Sequence, residues 1–228
     1  RRAYLRRIWT LHQQLTDPRA PTVQMIHMTN THIIPYMVWN ESNLDLEWLY
    51  GPEPAQAKYA PDLLRTEAIG LQSGNIPVAL ALAKAGKGSK LSEERIAFAQ
   101  RARWGALLVH EIKPGSVTVE HYPPPLVDGG YGLPEAKVTN YWDDAAPLRV
   151  SDEQCKWLLV QHRDQATLLL ATWNPESSRV TITLDPARWT GATPQTAVDP
   201  ESGEAVTMQG REVSLDLDGY GVRFVRLR

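Results

Sequence analysis

The spacing of apolar residues along this chain changes near residue 113. Before that point, apolar residues recur at helical spacing, first at Leu5, Ile8 and Trp9 and again across residues 96–109. Between the helical segments lie the apolar runs "TVQMIHM" and "NIPVALALA", which are the length of strands. Helices that alternate with strands predict βα units and a parallel sheet.

The helix boundaries carry recognisable start and stop signals. Residues 1–15 form an amphipathic pattern, a second helix is predicted to begin near Pro61 and to stop at Gly74, and Ser92 is a suitable N-cap for a third. Glu93 and Glu94 follow this cap, where acidic side chains favour the first turn. We therefore expect three helices before residue 113.

The second half reads as short strands joined by tight turns. "CKWLLVQHRDQATLLLATWNP" predicts two strands around a polar turn, "SSRVTITLDP" alternates in polarity, a hairpin is expected at Gln209-Gly210, and "VRFVRLR" closes the chain. This spacing is typical of an antiparallel β-sandwich. The predicted fold class is α/β plus all-β, with βα units over 1–113, a Pro/Gly-rich crossover over 114–139 and a sandwich over 140–228.

Composition describes an ordinary globular protein. The 228 residues are 43% hydrophobic and 22% charged, with a formal net charge of −2 and no run of Lys or Arg. Such a balance argues against a nucleic-acid or anionic-membrane partner, and no apolar stretch approaches the ~18 residues of a membrane span. The single cysteine, Cys155, is expected to be a packed side chain, and it is compatible with secreted, periplasmic and cytoplasmic locations.

Polar and aromatic residues follow the first predicted strand directly. The stretch "IHMTNTHIIPYMVWNE" runs from an apolar strand into Thr, Asn and His and then into a Trp-Asn-Glu cluster. We predict a loop of about thirty residues from Thr29 to Pro61, far beyond the usual ~2–6 residues of a βα connection. Loops of such length usually carry function.

Residues 20–85 resemble the terminal barrel units of the family 123-like glycoside hydrolases. In that family a strand ending in His-Met-(Ser/Thr)-Asn is followed by a long loop with acidic or aromatic residues, a helix with Arg-x-Glu, and a strand with Pro at its start. The matching positions here are His27-Met28-Thr29-Asn30, Asp45 to Trp48, Arg65-Thr66-Glu67 and Ile76-Pro77. The resemblance implies the terminal βα units of a (β/α)8 barrel, then a C-terminal sandwich, in an enzyme that hydrolyses glycosidic bonds.

The resemblance places the main catalytic acids outside this chain. An adjacent Asp-Glu pair on an earlier strand is expected in the family, the Asp orienting the acetamido group of the substrate and the Glu serving as acid/base. The chain starts inside a helix without Met, and a barrel needs ~250 residues. We therefore expect a missing N-terminal part of the same protein as a partner of this segment.

In a barrel, residues just after the strands build the active-site face. Trp side chains there offer an apolar platform for a sugar ring, and the polar groups suit its hydroxyls. The expected substrate-binding residues are Asn30, Thr31, His32, Trp39, Asn40, Glu41 and Trp48. The expected partner is carbohydrate, and the alternative interpretation is a non-catalytic carbohydrate-binding or assembly protein on the same scaffold.

Three acidic residues are weak catalytic candidates. Asp45 and Glu47 lie two apart, which aims both carboxylates the same way on an extended segment, and Glu41 lies nearby. Their separation would decide between a retaining couple at ~5–5.5 Å and an inverting one at ~6.5–9.5 Å. No cofactor is expected, and no metal either, because His27, His32 and Glu41 match no known ligand spacing.

Overall fold

The computed structural model describes residues 2–15, 25–26, 39–41, 53–67, 76–79, 92–114 and 122–228. The helices are α1 (Arg2–Leu15), α2 (Pro61–Glu67), α3 (Glu93–Leu108) and α4 (Pro124–Asp128), and a 3-10 turn covers Ala55–Ala57. Four short strands precede α4: β1 (Met25–Ile26), β2 (Trp39–Glu41), β3 (Ile76–Ala79) and β4 (Lys113–Pro114). After α4 come β5 (Lys137–Asn140), β6 (Leu148–Val150), β7 (Cys155–His162), β8 (Gln165–Thr172), β9 (Ser178–Leu184), β10 (Ala197–Val198), β11 (Thr207–Gln209), β12 (Glu212–Leu217) and β13 (Val222–Leu227).

The first four strands form a parallel sheet in the order β1-β2-β3-β4. The prediction of one uninterrupted loop from Thr29 to Pro61 was wrong. Residues 39–41 form β2 inside the sheet, with Trp39 paired to Met25 on one side and to Ile76 on the other. Pairing on both sides satisfies the backbone N–H and C=O groups of this polar segment. The strand was not predicted because the segment lacks apolar periodicity.

Helix α3 begins and packs as its sequence predicts. The side chain of Ser92 accepts a hydrogen bond from the Arg95 backbone N–H at 3.3 Å, so the predicted N-cap is confirmed. Ala99, Ala102 and Ala106 are fully buried, which confirms the small apolar stripe. Ala106 lies in the same core as Leu169 and Phe224 of the antiparallel sheet.

Two antiparallel sheets follow, as the second half of the sequence predicts. One has the strand order β10-β13-β8-β7-β5 and the other β11-β12-β9-β6. The expected hairpin at Gln209-Gly210 is confirmed, since β11 and β12 pair across it and Gly210 has a φ of 60°. A positive φ is the conformation that glycine adopts without a steric penalty.

The five-stranded sheet is buried on both faces, and this explains the continuous apolar runs of its central strands. Leu158 and Leu169 pack in a core beneath α3, whereas the adjacent Leu159 and Leu168 pack between the two antiparallel sheets. Consecutive residues of a strand point to opposite faces. A strand covered on both sides therefore has apolar residues at successive positions, as "KWLLV" and "TLLLA" do.

The segment expected as a crossover contains regular structure of its own. Helix α4 lies at Pro124–Asp128, and β5 begins at Lys137. Strand β5 pairs antiparallel with β7, with Lys137 opposite Gln161 and Asn140 opposite Leu158. Leu126 of α4 is fully buried in the core beneath α3. Where one domain ends and the next begins stays a prediction.

Candidate functional site

Most of the sequence-predicted sugar wall lies outside the described residues. This applies to Asn30, Thr31, His32 and Trp48, and also to the weak catalytic candidates Asp45 and Glu47. The backbone of Trp39, Asn40 and Glu41 is described, and it forms β2 with Glu41 as the last residue of the strand. The predicted wall is thus represented by a three-residue strand between two parallel neighbours, which begins at Trp39 and has Glu41 at its carboxyl end.

A different set of side chains meets at the amino end of the same sheet. His110 lies three residues before β4, and it is fully buried against Tyr141, Trp142 and Trp173. The amino ends of parallel strands lie at the same end of the sheet. This group therefore lies at the end opposite to the carboxyl end, where Glu41 is the last residue of β2. We call His110, Tyr141, Trp142 and Trp173 the junction cluster, because it joins the α3–β4 connection to the sandwich.

Both ring nitrogens of His110 are occupied. Nδ1 lies 2.7 Å from the carbonyl oxygen of Ala106, and Nε2 lies 3.0 Å from the hydroxyl of Tyr141. A carbonyl oxygen only accepts, so Nδ1 carries the proton and donates, and Nε2 of the neutral ring accepts from Tyr141. Burial is the main cause that lowers the pKa of His110 to about 4. The charges of Lys156 and Arg65 act in the same direction, and the backbone hydrogen bonds to Ala106 and Pro61 oppose them.

The surroundings of His110 are aromatic and cationic. Its ring stacks on Trp142 with centroids 5.9 Å apart, and it meets the ring of Trp173 edge-on at 5.8 Å. The guanidinium of Arg65 lies 5.3 Å from the centre of the Trp142 ring. Burial also raises the pKa of Tyr141 to about 12, so its hydroxyl stays protonated near neutral pH.

Two more contacts make the junction cluster a structural connection. Trp173 Nε1 donates to the carbonyl oxygen of Tyr59 at 2.7 Å, and the side-chain amide of Asn140 donates to the Glu111 carboxylate at 2.9 Å. Glu111 holds this position with a φ of 58°, which a non-glycine residue rarely adopts. A neutral, fully bonded histidine of this kind holds two regions in place and has no free nitrogen for proton transfer.

A groove of about 430 Å³ lies beside the cluster on the sandwich. Its lining carries charges of both signs: four acidic residues, Asp143, Asp144, Asp152 and Glu153, and three basic ones, Arg149, Lys156 and Arg188. Charges of both signs partly neutralise one another, so the groove has no strong preference for an anion or a cation. The sequence "NYWDD" at the end of β5 has the same aromatic and acidic character as "VWNE", and this signal could have indicated the groove.

Neither metal nor thiol chemistry is favoured in the described part of the chain. It contains no group of three or more His, Cys, Asp and Glu side chains placed to hold a metal ion. Cys155 is buried as predicted, and burial raises its pKa to about 12, which leaves the thiol protonated and inert. No described helix is long and apolar enough to cross a bilayer.

Comparison with known proteins identifies the fold. No protein-family model matches the sequence, and no curated protein matches it either. Solved structures do match: a GH27 β-L-arabinopyranosidase from Geobacillus stearothermophilus has a TM-score of 0.60 at 11% identity, over 98% of this chain and 53% of that one. α-Galactosidase I from Mortierella vinacea has a TM-score of 0.54 at 10% identity, over 98% and 62% of the two chains.

A noncanonic maltogenic α-amylase from Thermotoga neapolitana is similar to the same extent, with a TM-score of 0.52 at 10% identity over 97% of this chain and 58% of that one. The chain therefore has a glycoside hydrolase-like fold. It spans between half and two thirds of the length of these structures. At such low identity the likeness extends to the fold and not to individual site residues.

Proposed function

We propose that this chain is the carboxyl-terminal part of a carbohydrate-active barrel enzyme that hydrolyses glycosidic bonds in oligo- or polysaccharides. The observation that carries the proposal is the likeness of nearly the whole chain to about half of several glycoside hydrolases. The order of elements supports it, since a parallel sheet with helices precedes an antiparallel sandwich. The catalytic acids would then come from strands that precede β1.

The position of β2 supports a role for its carboxyl end. In (β/α)8 barrels the active site is built at the carboxyl ends of the strands. Glu41 ends β2, and β2 lies between β1 and β3 rather than at the edge of the sheet. We propose that Trp39, Asn40 and Glu41, with Asn30, Thr31, His32 and Trp48 from the adjoining loop, supply one wall of the sugar site.

Kinship with the family 123-like enzymes is a narrower proposal, because it rests on residues 20–85 alone. Its test is the sequence that precedes Arg1. An adjacent Asp-Glu pair at the end of an earlier strand would support it. Carboxylates on two different strands would favour another glycosidase family, and the absence of paired acids would favour the non-catalytic carbohydrate-binding protein.

The sugar-wall assignment is tested by Trp39→Ala in the polypeptide that carries this chain with its expected upstream strands. Aromatic contacts contribute ~0.5–1.5 kcal/mol beyond burial, so affinity for an oligosaccharide substrate should fall roughly three- to tenfold. Calorimetric titration measures the affinity, and thermal unfolding of both proteins measures stability.

The control is Trp9→Ala, which removes a half-exposed tryptophan from α1. Oligosaccharide affinity should be the same in Trp9→Ala and in the parent. Unchanged affinity in Trp39→Ala, together with a large drop in melting temperature, would make Trp39 a packing residue and remove the support for the wall.

A further inference from the structure

A second cavity lies at the far end of the sandwich. It is bounded by the turn between β7 and β8, by residues 189–195 before β10, and by the end of β13. Its volume is about 410 Å³. Small-molecule sites usually enclose ~300–1,000 Å³, so the space is adequate for a small ligand.

One wall carries a buried acceptor that lacks a partner. Gln161 of β7 is 6% exposed, and its amide nitrogen donates to the backbone oxygen of Thr190 at 3.5 Å. Its side-chain oxygen, Oε1, is buried and has no hydrogen-bond partner among the residues that the structure describes. Buried acceptors are nearly always satisfied, because an unmade hydrogen bond in the interior is costly. Gln161 also lines the cavity, and a ligand hydroxyl that reached this oxygen would satisfy it.

An aromatic ring lines the same space. Trp189 is half-buried and packs against the core between the two antiparallel sheets, which fixes its position. The residue after it is anchored from β5, since the Lys137 ammonium donates to the hydroxyl of Thr190 at 3.3 Å. A fixed indole beside a hydrogen-bonding group is a surface on which the apolar face of a sugar ring can lie.

Two other polar side chains of the lining donate to backbone oxygens. Gln165 donates its amide proton to the Asp128 carbonyl oxygen at 3.1 Å, and Gln195 donates to that of Thr193 at 3.0 Å. Both glutamines line the cavity. Because each amide nitrogen is already bound to the backbone, their oxygens are oriented in advance as acceptors for hydroxyl groups.

The buried part of the cavity is uncharged. Its charged lining residues, Arg163, Asp164 and Arg228, are all exposed. Gln161, Ala166 and Leu227, which are buried, carry no charge. A ligand that reaches Gln161 is therefore neutral, since an ion would lose its hydration without a counter-charge.

We propose that this cavity binds a neutral pyranose sugar, with its ring against Trp189 and one hydroxyl donating to Oε1 of Gln161. The site is non-catalytic, and it stands apart from the proposed function because it uses only side chains of the sandwich. Ring contact and a single buried acceptor favour pyranoses over acyclic polyols, which have no flat apolar face.

The test is ligand-observed NMR and calorimetry on the 228-residue chain with D-galactose, L-arabinose and D-glucose, and with glycerol as the acyclic reference. At least one sugar should bind with a millimolar Kd, and glycerol should not. Gln161→Met should weaken that binding at least fivefold, and Trp189→Ala roughly three- to tenfold.

The chain offers a matched control for the glutamine. Gln56 is also buried, its amide nitrogen also donates to a backbone oxygen, that of Tyr220 at 3.2 Å, and its Oε1 also lacks a partner among the described residues. It is not part of the cavity lining. Gln56→Met should leave sugar affinity unchanged, which separates loss of the site from a general loss of stability.

A further measurement covers variants that fold poorly. In the parent chain, the indole N–H resonance of Trp189, assigned with Trp189→Phe, should shift as sugar is added. An unmoved resonance, no sugar binding above glycerol, or equal binding by Gln161→Met and the parent would each overturn the proposal. Binding that Trp39→Ala abolishes and Gln161→Met preserves would also overturn it, because the sugar would then lie at the ends of the parallel strands.

Discussion

The two regions of this molecule obtain their cores in different ways. The antiparallel sandwich has strands of up to eight residues, and its two sheets bury a continuous core between them. The described strands of the parallel sheet are two to four residues long. Parallel sheets are stable when helices cover both faces and further strands extend them. We infer that the sandwich carries most of the stability of this chain.

The contact between the regions is made mainly by α3 and the junction cluster. Helix α3 lies over the outer face of the five-stranded sheet, where Leu107 and Leu108 join the same core as Leu158 and Phe224. Arg101 adds an ion pair with Glu201 and donates to the backbone oxygen of Val222 at 3.1 Å. The sandwich therefore provides the surface on which α3 packs.

The largest effect is expected in the sandwich core. Leu168 is fully buried between the two sheets, and Leu168→Ala should lower the free energy of unfolding by ~2–5 kcal/mol through lost burial and a cavity. Urea unfolding of the 228-residue chain measures this. Leu133→Ala is the control, because Leu133 is 45% exposed and the change should cost less than ~0.5 kcal/mol. Equal costs would contradict the view that the sandwich dominates stability.

The next effect is a pH dependence at the junction cluster. The pKa of His110 is about 4 in the folded chain, below its ordinary value of 6.5, because burial disfavours the charged ring. Between these pH values the unfolded chain binds more protons, so stability is fully present above about pH 6.5 and falls as the pH drops towards 4. The loss is roughly 3 kcal/mol.

Because carboxylates titrate over the same range, the measurement compares the parent with His110→Gln, which retains hydrogen-bonding groups without titrating. Urea unfolding at pH 7 and pH 4 should show the parent losing roughly 3 kcal/mol more than the variant. An equal loss in both would show that His110 does not couple the two regions through its neutral form.

The smallest effect concerns the close approach of α3 to β13. A methyl group added at Gly105 would overlap the side chain of Val222. Overpacking costs ~1–3 kcal/mol, while replacing a helical glycine by alanine gains ~1 kcal/mol, so Gly105→Ala should destabilise the chain by ~0–2 kcal/mol.

The same change made on a Val222→Ala background should cost less or reverse in sign, because the two overlapping γ-methyl groups are gone and only the Cβ of residue 222, at 3.2 Å, stays close. Thermal unfolding of the four proteins of this cycle measures the coupling. Destabilisation of the same size on both backgrounds would place the origin of the effect away from the contact between α3 and the sandwich.

Sequence patterns predicted the sandwich better than the sites. Alternating polarity predicted β9, glycine predicted the turn at Gly210, and Ser92 predicted the start of α3. These signals act within a few residues of the chain. The strand at Trp39–Glu41 was missed because its partners, Met25 and Ile76, lie far from it in sequence.

The sequence by itself determined the order of a parallel region and an antiparallel one, since periods of 3.6 and 2 residues are written locally in the chain. Only the tertiary structure decided that His110 is neutral and bonded to Tyr141, and that Gln161 meets Trp189 at one cavity. Both depend on burial and on contacts between distant segments. Desolvation and an unsatisfied acceptor are properties of a packed interior, which no local pattern encodes.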